Sequence, residues 1–200
     1  MKTLVLTAHP DLTKSRINRL WFVALSEQEN TTTRDLTAIG GETQQFDVET
    51  EQTLLLAHER IVFQFPWYWY SAPAVLKAWI DQVLSYGFAY GPNGDKLKGR
   101  ECLVLVSTGG PAESYHAGGY NQFTMDELLK PYQQTANLTG MTYLRPFVLN
   151  GLAVAEETDL AASVPAMLSH VLDPELDPKI KQARLLKQIA EDQAQAAAIS

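Results

Sequence analysis
The chain has 200 residues, 46% hydrophobic and 20% charged, with a formal net charge of −7. That is enough for one ordinary globular domain, which buries roughly 70% of its unfolded surface. The acidic balance argues against a nucleic-acid footprint, which needs a basic face, and a lone cysteine, Cys102, excludes a disulfide framework within the chain.

The opening MKTLVLTAHP holds an apolar run too short for a signal-peptide core. The longest uncharged stretch, Ile61 to Leu76, contains two prolines and falls short of a membrane span. A cytoplasmic protein, not embedded in a membrane, is expected. Thr3 to Ala8 reads as a first strand, closed by His9 and Pro10. After a polar loop, Ser15 is a good N-cap for a helix that buries Ile17, Leu20, Trp21, Ala24 and Leu25. Thr31 to Asp35 is a threonine-rich second strand suited to an edge. Ile39 to Gln45 reads as a glycine-containing loop, and Thr50 as the cap of a short helix carrying Leu54, Leu55 and Leu56.

Ile61 to Phe65 is a third strand, β-branched and uncharged, which Pro66 ends because it has no N–H for a ladder. Trp67, Tyr68, Trp69 and Tyr70 follow in a turn too short to be a core helix. Ser71 and Pro73 then supply a cap and a first-turn proline for a helix with Leu76, Trp79, Ile80, Val83 and Leu84 at helical period. Glu101 to Ser107 is a fourth strand, apolar enough to be buried on both faces. Thr108 to Tyr120 is a long loop, TGGPAESYHAGGY. Thr124 caps a helix with Leu128 and Leu129 that continues past Pro131 or breaks there. Met141 to Leu149 is a fifth strand. Two helices finish the chain, about Thr158 to Leu172 and Pro178 to Ala198, and the last alanine- and glutamine-rich turns are expected to be the least ordered part.

Strands alternating with helices imply an α/β fold, a parallel sheet with helices on both faces. Residues 1–200 are read as a single domain with five strands in the doubly wound order 2-1-3-4-5, whose switch point lies between strands 1 and 3. The ligand site then falls to the loops after strands 1, 3 and 4. The first delivers Ser15, Arg16 and Asn18 to a helix start, where free N–H groups and the helix dipole favour an anion. Ser15 is equally readable as a plain cap, and His9 as a structural strand end. No glycine-rich dinucleotide or nucleotide-phosphate fingerprint follows strand 1. After strand 4, Ser107, Thr108, Gly109 and Gly110 present consecutive N–H groups able to stabilise negative charge on a ring held over strand 3. The four aromatics read either as core and interface rings or as a platform for a flat ligand. No metal site is expected.

The segment FQFPWYWYSAPAVLKAWIDQVLSYGFAYG, followed by KLKGRECLVLVSTGG and then Tyr115, resembles the flavodoxin-like NAD(P)H:quinone oxidoreductase family. That family includes bacterial general-stress oxidoreductases, the modulator of drug activity B and the ancillary subunits of glutathione-gated potassium efflux systems. The similarity runs from His9 through Asn18 to about Phe147. It implies that His9, Ser15 and Asn18 hold a flavin phosphate. It also implies that Pro66, Trp67, Tyr68, Trp69 and Tyr70, with Ser107 to Gly110, hold the isoalloxazine ring, largely through main-chain groups. Tyr115 would line the nicotinamide and quinone pocket. The larger animal members have a histidine six positions after that tyrosine; here that position is Asn121, while His116 directly follows Tyr115. No counterpart of the C-terminal domain that contacts the adenine half of FAD in the animal enzymes is expected, which points to FMN, with FAD as the alternative.

The implied activity is a ping-pong cycle. NADH or NADPH passes a hydride to flavin N5, and a quinone or similar acceptor then takes its place, with Tyr115 and His116 assisting by hydrogen bonding. The family's dimers imply a homodimer that contributes aromatic walls. A rival reading is a flavin-binding regulatory partner of a membrane transporter, of the potassium-efflux type. A one-electron carrier fits less well, because it has little use for a long loop bearing Tyr115 over the ring.

Overall fold
The computed structural model describes residues 1–199, with side chains through Gln195, so the expectation for the last turns lies partly outside the described residues. Strands β1 (Thr3–Thr7), β2 (Thr31–Asp35), β3 (Arg60–Pro66), β4 (Glu101–Ser107) and β5 (Thr142–Tyr143) form a sheet in the order β2-β1-β3-β4-β5, and β6 (Phe147–Leu149) also pairs with β4. Every pairing is parallel. This is the expected flavodoxin-like order.

Side-chain alternation along each strand divides the core in two. Leu4, Leu6, Ile61, Phe63, Phe65, Cys102, Val104 and Val106 share one face with Leu55 of α3 (Val48–Ala57), with Leu76, Trp79 and Val83 of α4 (Ala74–Val83), and with Tyr132 and Ala136 of α6 (Lys130–Leu138). Val5, Val62, Leu103 and Leu105 face the other way. They meet Ile17, Trp21 and Leu25 of α1 (Ile17–Ser26), and Leu160, Met167 and Val171 of α7 (Glu157–Val171). The register pairs Pro66 with Ser107, so β3 and β4 end level with each other.

Several elements differ from expectation for local reasons. The fifth strand is two short pieces, because Leu144, Arg145 and Pro146 interrupt it and Pro146 brings no N–H to the ladder. Asp35 caps a five-residue helix, α2 (Leu36–Gly40), whose last two residues fall in the expected Ile39 to Gln45 loop. Asp47, not Thr50, caps α3: its carboxylate accepts from the Thr50 N–H at 3.2 Å. Ser71 caps nothing, since it closes a turn with Tyr68, and α4 starts after Pro73. Thr124 does cap α5 (Met125–Leu128), which breaks at Leu129, placing Pro131 in the first turn of α6. The chain's last helix, α8, spans Pro178–Ile199. No described helix is long and apolar enough to cross a membrane.

Candidate functional site
The carboxyl ends of β1, β3 and β4 and the starts of α1 and α7 enclose a cleft of about 540 Å³, within the usual range for a small-molecule pocket. Its walls include His9, Ser15, Arg16, Asn18, Pro66, Trp67, Tyr68, Ser107, Thr108 and Gly109. Sequence reasoning missed other parts of the wall, notably Leu152, Ala153 and Leu160. Trp69, Tyr70, Gly110, Tyr115 and His116 lie outside this lining.

One end of the cleft gathers hydrogen-bond donors. Ser15 Oγ accepts from the Asn18 N–H at 3.1 Å, while the N–H groups of Arg16 and Ile17 have no acceptor among the described residues. Such orphan donors, at the positive end of a helix dipole, favour negative charge. His9 is 8% exposed, and its Nδ1 accepts from the Asp11 N–H at 3.1 Å. Its neutral ring therefore carries the proton on Nε2, as a donor. Burial lowers the His9 pKa from 6.5, against the opposing influence of Asp11 and Asp35. Asp11 is itself held down to about 2 by the Lys14 ammonium, 2.8 Å away, and by Thr13. Arg16 is committed elsewhere: its Nε meets Glu157 at 2.9 Å and its Nη2 the Ala155 carbonyl at 2.8 Å, tying the start of α1 to that of α7.

A buried polar chain runs beneath the cleft. Thr7 Oγ1 donates to Gln64 Oε1 at 3.1 Å, Gln64 Nε2 to the Asn18 carbonyl at 2.7 Å, and Asn18 Nδ2 to Ser107 Oγ at 3.2 Å. Asn18 Oδ1 and Trp67 Nε1 are buried and unpartnered. A buried polar atom without a partner is costly, and both of these belong to residues of the cleft wall. Gln64 was not anticipated; its one signal was an amide inside the otherwise apolar run IVFQFP.

At the other end the backbone is unusual. The Trp67 N–H donates to the Ser107 carbonyl at 2.7 Å. Tyr68 and Ser71 exchange hydrogen bonds of 2.9 and 3.0 Å across a tight turn. Its central residues, Trp69 and Tyr70, have φ of +48° and +59°, a left-handed conformation that side-chain-bearing residues adopt at a cost. Trp69 is 94% exposed.

On the β4 side, the Thr108 N–H is taken by the Leu149 carbonyl at 2.8 Å, a correction to the expectation of a wholly free run. Gly151, Leu152 and Ala153 donate to the carbonyls of Gly110, Thr108 and Gly109, at 2.8, 3.0 and 3.2 Å. This clamp occupies the carbonyls and leaves the Gly109 and Gly110 N–H groups without acceptors among the described residues. Tyr115 is 8% exposed and packs beside Gly110 in an adjoining cavity of about 420 Å³ shared with Tyr120 and Asn121. Asn121 accepts from the Tyr70 hydroxyl and donates to Ser114 Oγ, both at 3.1 Å, so the loop is fastened to the aromatic turn. His116 is exposed. Among the described residues, no group of three or more His, Cys, Asp or Glu is arranged to hold a metal.

The cleft thus joins the free N–H groups of the α1 start at one end to an end walled by Trp67 and Tyr68, where the Gly109 N–H is free and that of Gly110 lies just beyond. The family model described as flavodoxin-like fold matches residues 1–171, and the chain belongs to that family. A Bacillus subtilis (strain 168) protein named as an uncharacterized NAD(P)H oxidoreductase, YdeQ, is 47% identical over 189 residues, 94% of this chain and 95% of its own length. The glutathione-regulated potassium-efflux system ancillary protein KefG of Pectobacterium atrosepticum is 42% identical over 148 residues, 74% of this chain and 80% of its own.

Solved structures agree in fold. General stress protein 14 from Treponema denticola, in complex with FMN, matches with a TM-score of 0.80 at 35% identity, over 84% of this chain and 97% of its own. An NADPH-quinone reductase from P. pentosaceus matches at 0.77 and 36%, over 86% and 98%. A structure named as a thermophilic tryptophan halogenase, from Streptomycin violaceusniger, matches at 0.82 and 46%, over 84% and 98%.

Proposed function
We propose that this chain is an FMN-dependent NAD(P)H:quinone oxidoreductase. The observation that carries the reading is the pair of buried, unpartnered polar atoms, Asn18 Oδ1 and Trp67 Nε1, set in the wall of the cleft that begins at α1. The oxidoreductase and quinone-reductase names of similar proteins and the FMN complex of one neighbour support it.

When bound, a flavin would supply the redox chemistry between NADH or NADPH and the acceptor. The α1 start, Ser15 and the His9 Nε2–H would hold the phosphate, and Asn18 would stand beside the chain that links it to the ring. Pro66, Trp67 and Tyr68 wall one edge of the ring, with Trp69 and Tyr70 on the rim. Ser107 and Thr108 set the loop, while the Gly109 and Gly110 N–H groups stabilise negative charge on the ring. Tyr115 offers a hydrogen-bond donor where nicotinamide and quinone alternate, and His116 sits on the outer side of the same loop. A second copy packing on the exposed Trp69, Tyr70, Tyr120 and Phe123 would complete the aromatic walls. A site of action in the cytoplasm follows from NAD(P)H as donor.

The similarity to KefG favours a second reading, a flavin-binding regulatory partner of a potassium efflux system, built on the same cleft. Steady-state oxidation of NADH and NADPH by FMN-loaded protein with a benzoquinone acceptor separates the two. Turnover above that of free FMN supports the enzyme; its absence in a protein that retains FMN favours the regulator.

A further inference from the structure
Strands β3 and β6 pair with β4 from opposite sides, and all three end level, with Ser107 between Pro66 and Leu149. The loop after β4 therefore has two neighbours, the Trp67 and Tyr68 wall of the cleft on one side and residues 149–153 on the other. Among the described residues, every main-chain bond that residues 108–110 make to another main-chain group goes to the second neighbour. In a planar trans peptide the C=O and N–H point opposite ways. Drawing the Thr108 and Gly109 carbonyls towards Leu152 and Ala153 thus turns the Gly109 and Gly110 N–H groups towards the Trp67 and Tyr68 side. Pro111 has no N–H, so the run ends at Gly110. A Cβ built on Gly109 would meet no atom within 4 Å, so the space beside that peptide is open to a ligand.

One side chain fastens the second neighbour to the loop. Thr108 Oγ1 lies 2.8 Å from Asn150 Oδ1 and 2.9 Å from the Gly110 carbonyl, and shares its proton between them. Thr108 is 1% exposed, so water does not compete for that proton. Gly151, with φ of +84°, then turns the chain back, and three successive N–H groups meet the loop. Asn150 itself is not part of the cleft wall. We propose that Asn150 is a positioning residue that raises the reduction potential of bound flavin by holding the Gly109 and Gly110 N–H groups towards the ring; this rests on the flavin reading above and extends it to a residue outside the cleft. The sign follows from charge. On full reduction a flavin gains two electrons and one proton, which leaves one net negative charge on the ring. Fixed N–H dipoles favour that form over the neutral one. Without the Asn150 amide the loop loosens, the dipoles lose their alignment and the preference falls.

The test is a spectroelectrochemical titration of the FMN-loaded full chain, beside a fluorescence titration with oxidised FMN. Asn150→Ala should bind oxidised FMN as the wild type does, while its preference for reduced over oxidised FMN falls about tenfold. For a two-electron couple that is a midpoint potential lower by about 30 mV. Thr108→Val reads the same bond from its other end and should fall at least as far. Thr108→Ser keeps the hydroxyl and should restore the wild-type potential. Because both changes remove one bond, Asn150→Ala/Thr108→Val should fall no further than Thr108→Val alone. A merely structural Asn150 would weaken oxidised and reduced FMN alike and leave the potential unmoved; that result would overturn the proposal and leave the flavin reading standing. Wild-type protein that binds no FMN would overturn both.

Discussion

The side-chain amide of Gln64 donates to the backbone carbonyl of Asn18 across 2.7 Å, so the middle of β3 fixes the first turn of α1. Through the same side chain, Thr7 on β1 is held, and through Asn18 the chain reaches Ser107 on β4. Gln64→Met keeps the length and removes the amide, taking from the Asn18 carbonyl the donor it has beyond the helix ladder and leaving the Thr7 hydroxyl unpaired. A loss of about 1–3 kcal/mol is expected for such a buried defect. It should appear as a lower urea midpoint at unchanged m-value, with weaker FMN binding.

Asn18→Ala and Ser15→Ala should each weaken FMN by about 1–3 kcal/mol, the range for hydrogen bonds to charged or buried partners. Fluorescence titration measures it. Because Asn18 Oδ1 has no partner in the chain itself, Asn18→Ala should lower FMN affinity more than it lowers the stability of the flavin-free protein. Equal losses would make Asn18 a structural residue.

His9 and His170 both have folded pKa values below the ordinary 6.5, chiefly through burial. Between those folded values and 6.5 the unfolded chain binds a proton that the folded chain does not. Stability therefore rises with pH in that window, and is lost as pH falls from 6.5 until the folded values are passed. Urea unfolding at stepped pH should show this slope. His9→Gln and His170→Gln should each flatten part of it. His170 has a second reason to resist the proton: its Nδ1 lies 3.3 Å from the Arg145 guanidinium.

Trp69→Asn/Tyr70→Gly places the residues that a turn with two positive φ angles prefers. Relief of the left-handed strain should raise stability by about 1–2 kcal/mol, read as a higher urea midpoint. Quinone turnover should fall, because the aromatic rim and the Tyr70–Asn121 hydrogen bond are lost.

Tyr115→Phe should slow turnover roughly tenfold to a hundredfold, about 1.4–2.7 kcal/mol of barrier, with FMN still bound. Stopped-flow reduction by NAD(P)H and reoxidation by quinone resolve the two half-reactions. His116→Gln, on an exposed side chain, should change either rate less. Unchanged rates in Tyr115→Phe would leave that residue a wall of the cavity.

The sheet order was legible because strands 1, 3 and 4 are largely apolar runs with helical periods between them. The cleft was legible because three loops with uncommon residues had to meet at one end of that sheet. What escaped depends on partners distant in sequence. Gln64 reads as a blemish in an apolar strand until Asn18 and Thr7 stand on either side of it. The stretch from Gly151 to Ala153 reads as a connection, yet it occupies the carbonyls of residues 108–110. The caps were misread where an aspartate just upstream outcompeted the expected residue, as Asp47 did Thr50. Ser71 was lost to a hairpin-like turn that no propensity rule assigns to Trp69 and Tyr70.

The most direct test of the account is an anaerobic titration of the purified, FMN-loaded protein with NADPH and with NADH, followed by absorbance in the flavin bands. The account predicts stoichiometric FMN, bleached by one or both nucleotides and restored by added quinone. A protein that binds no FMN, or bound FMN that neither nucleotide bleaches, would contradict it.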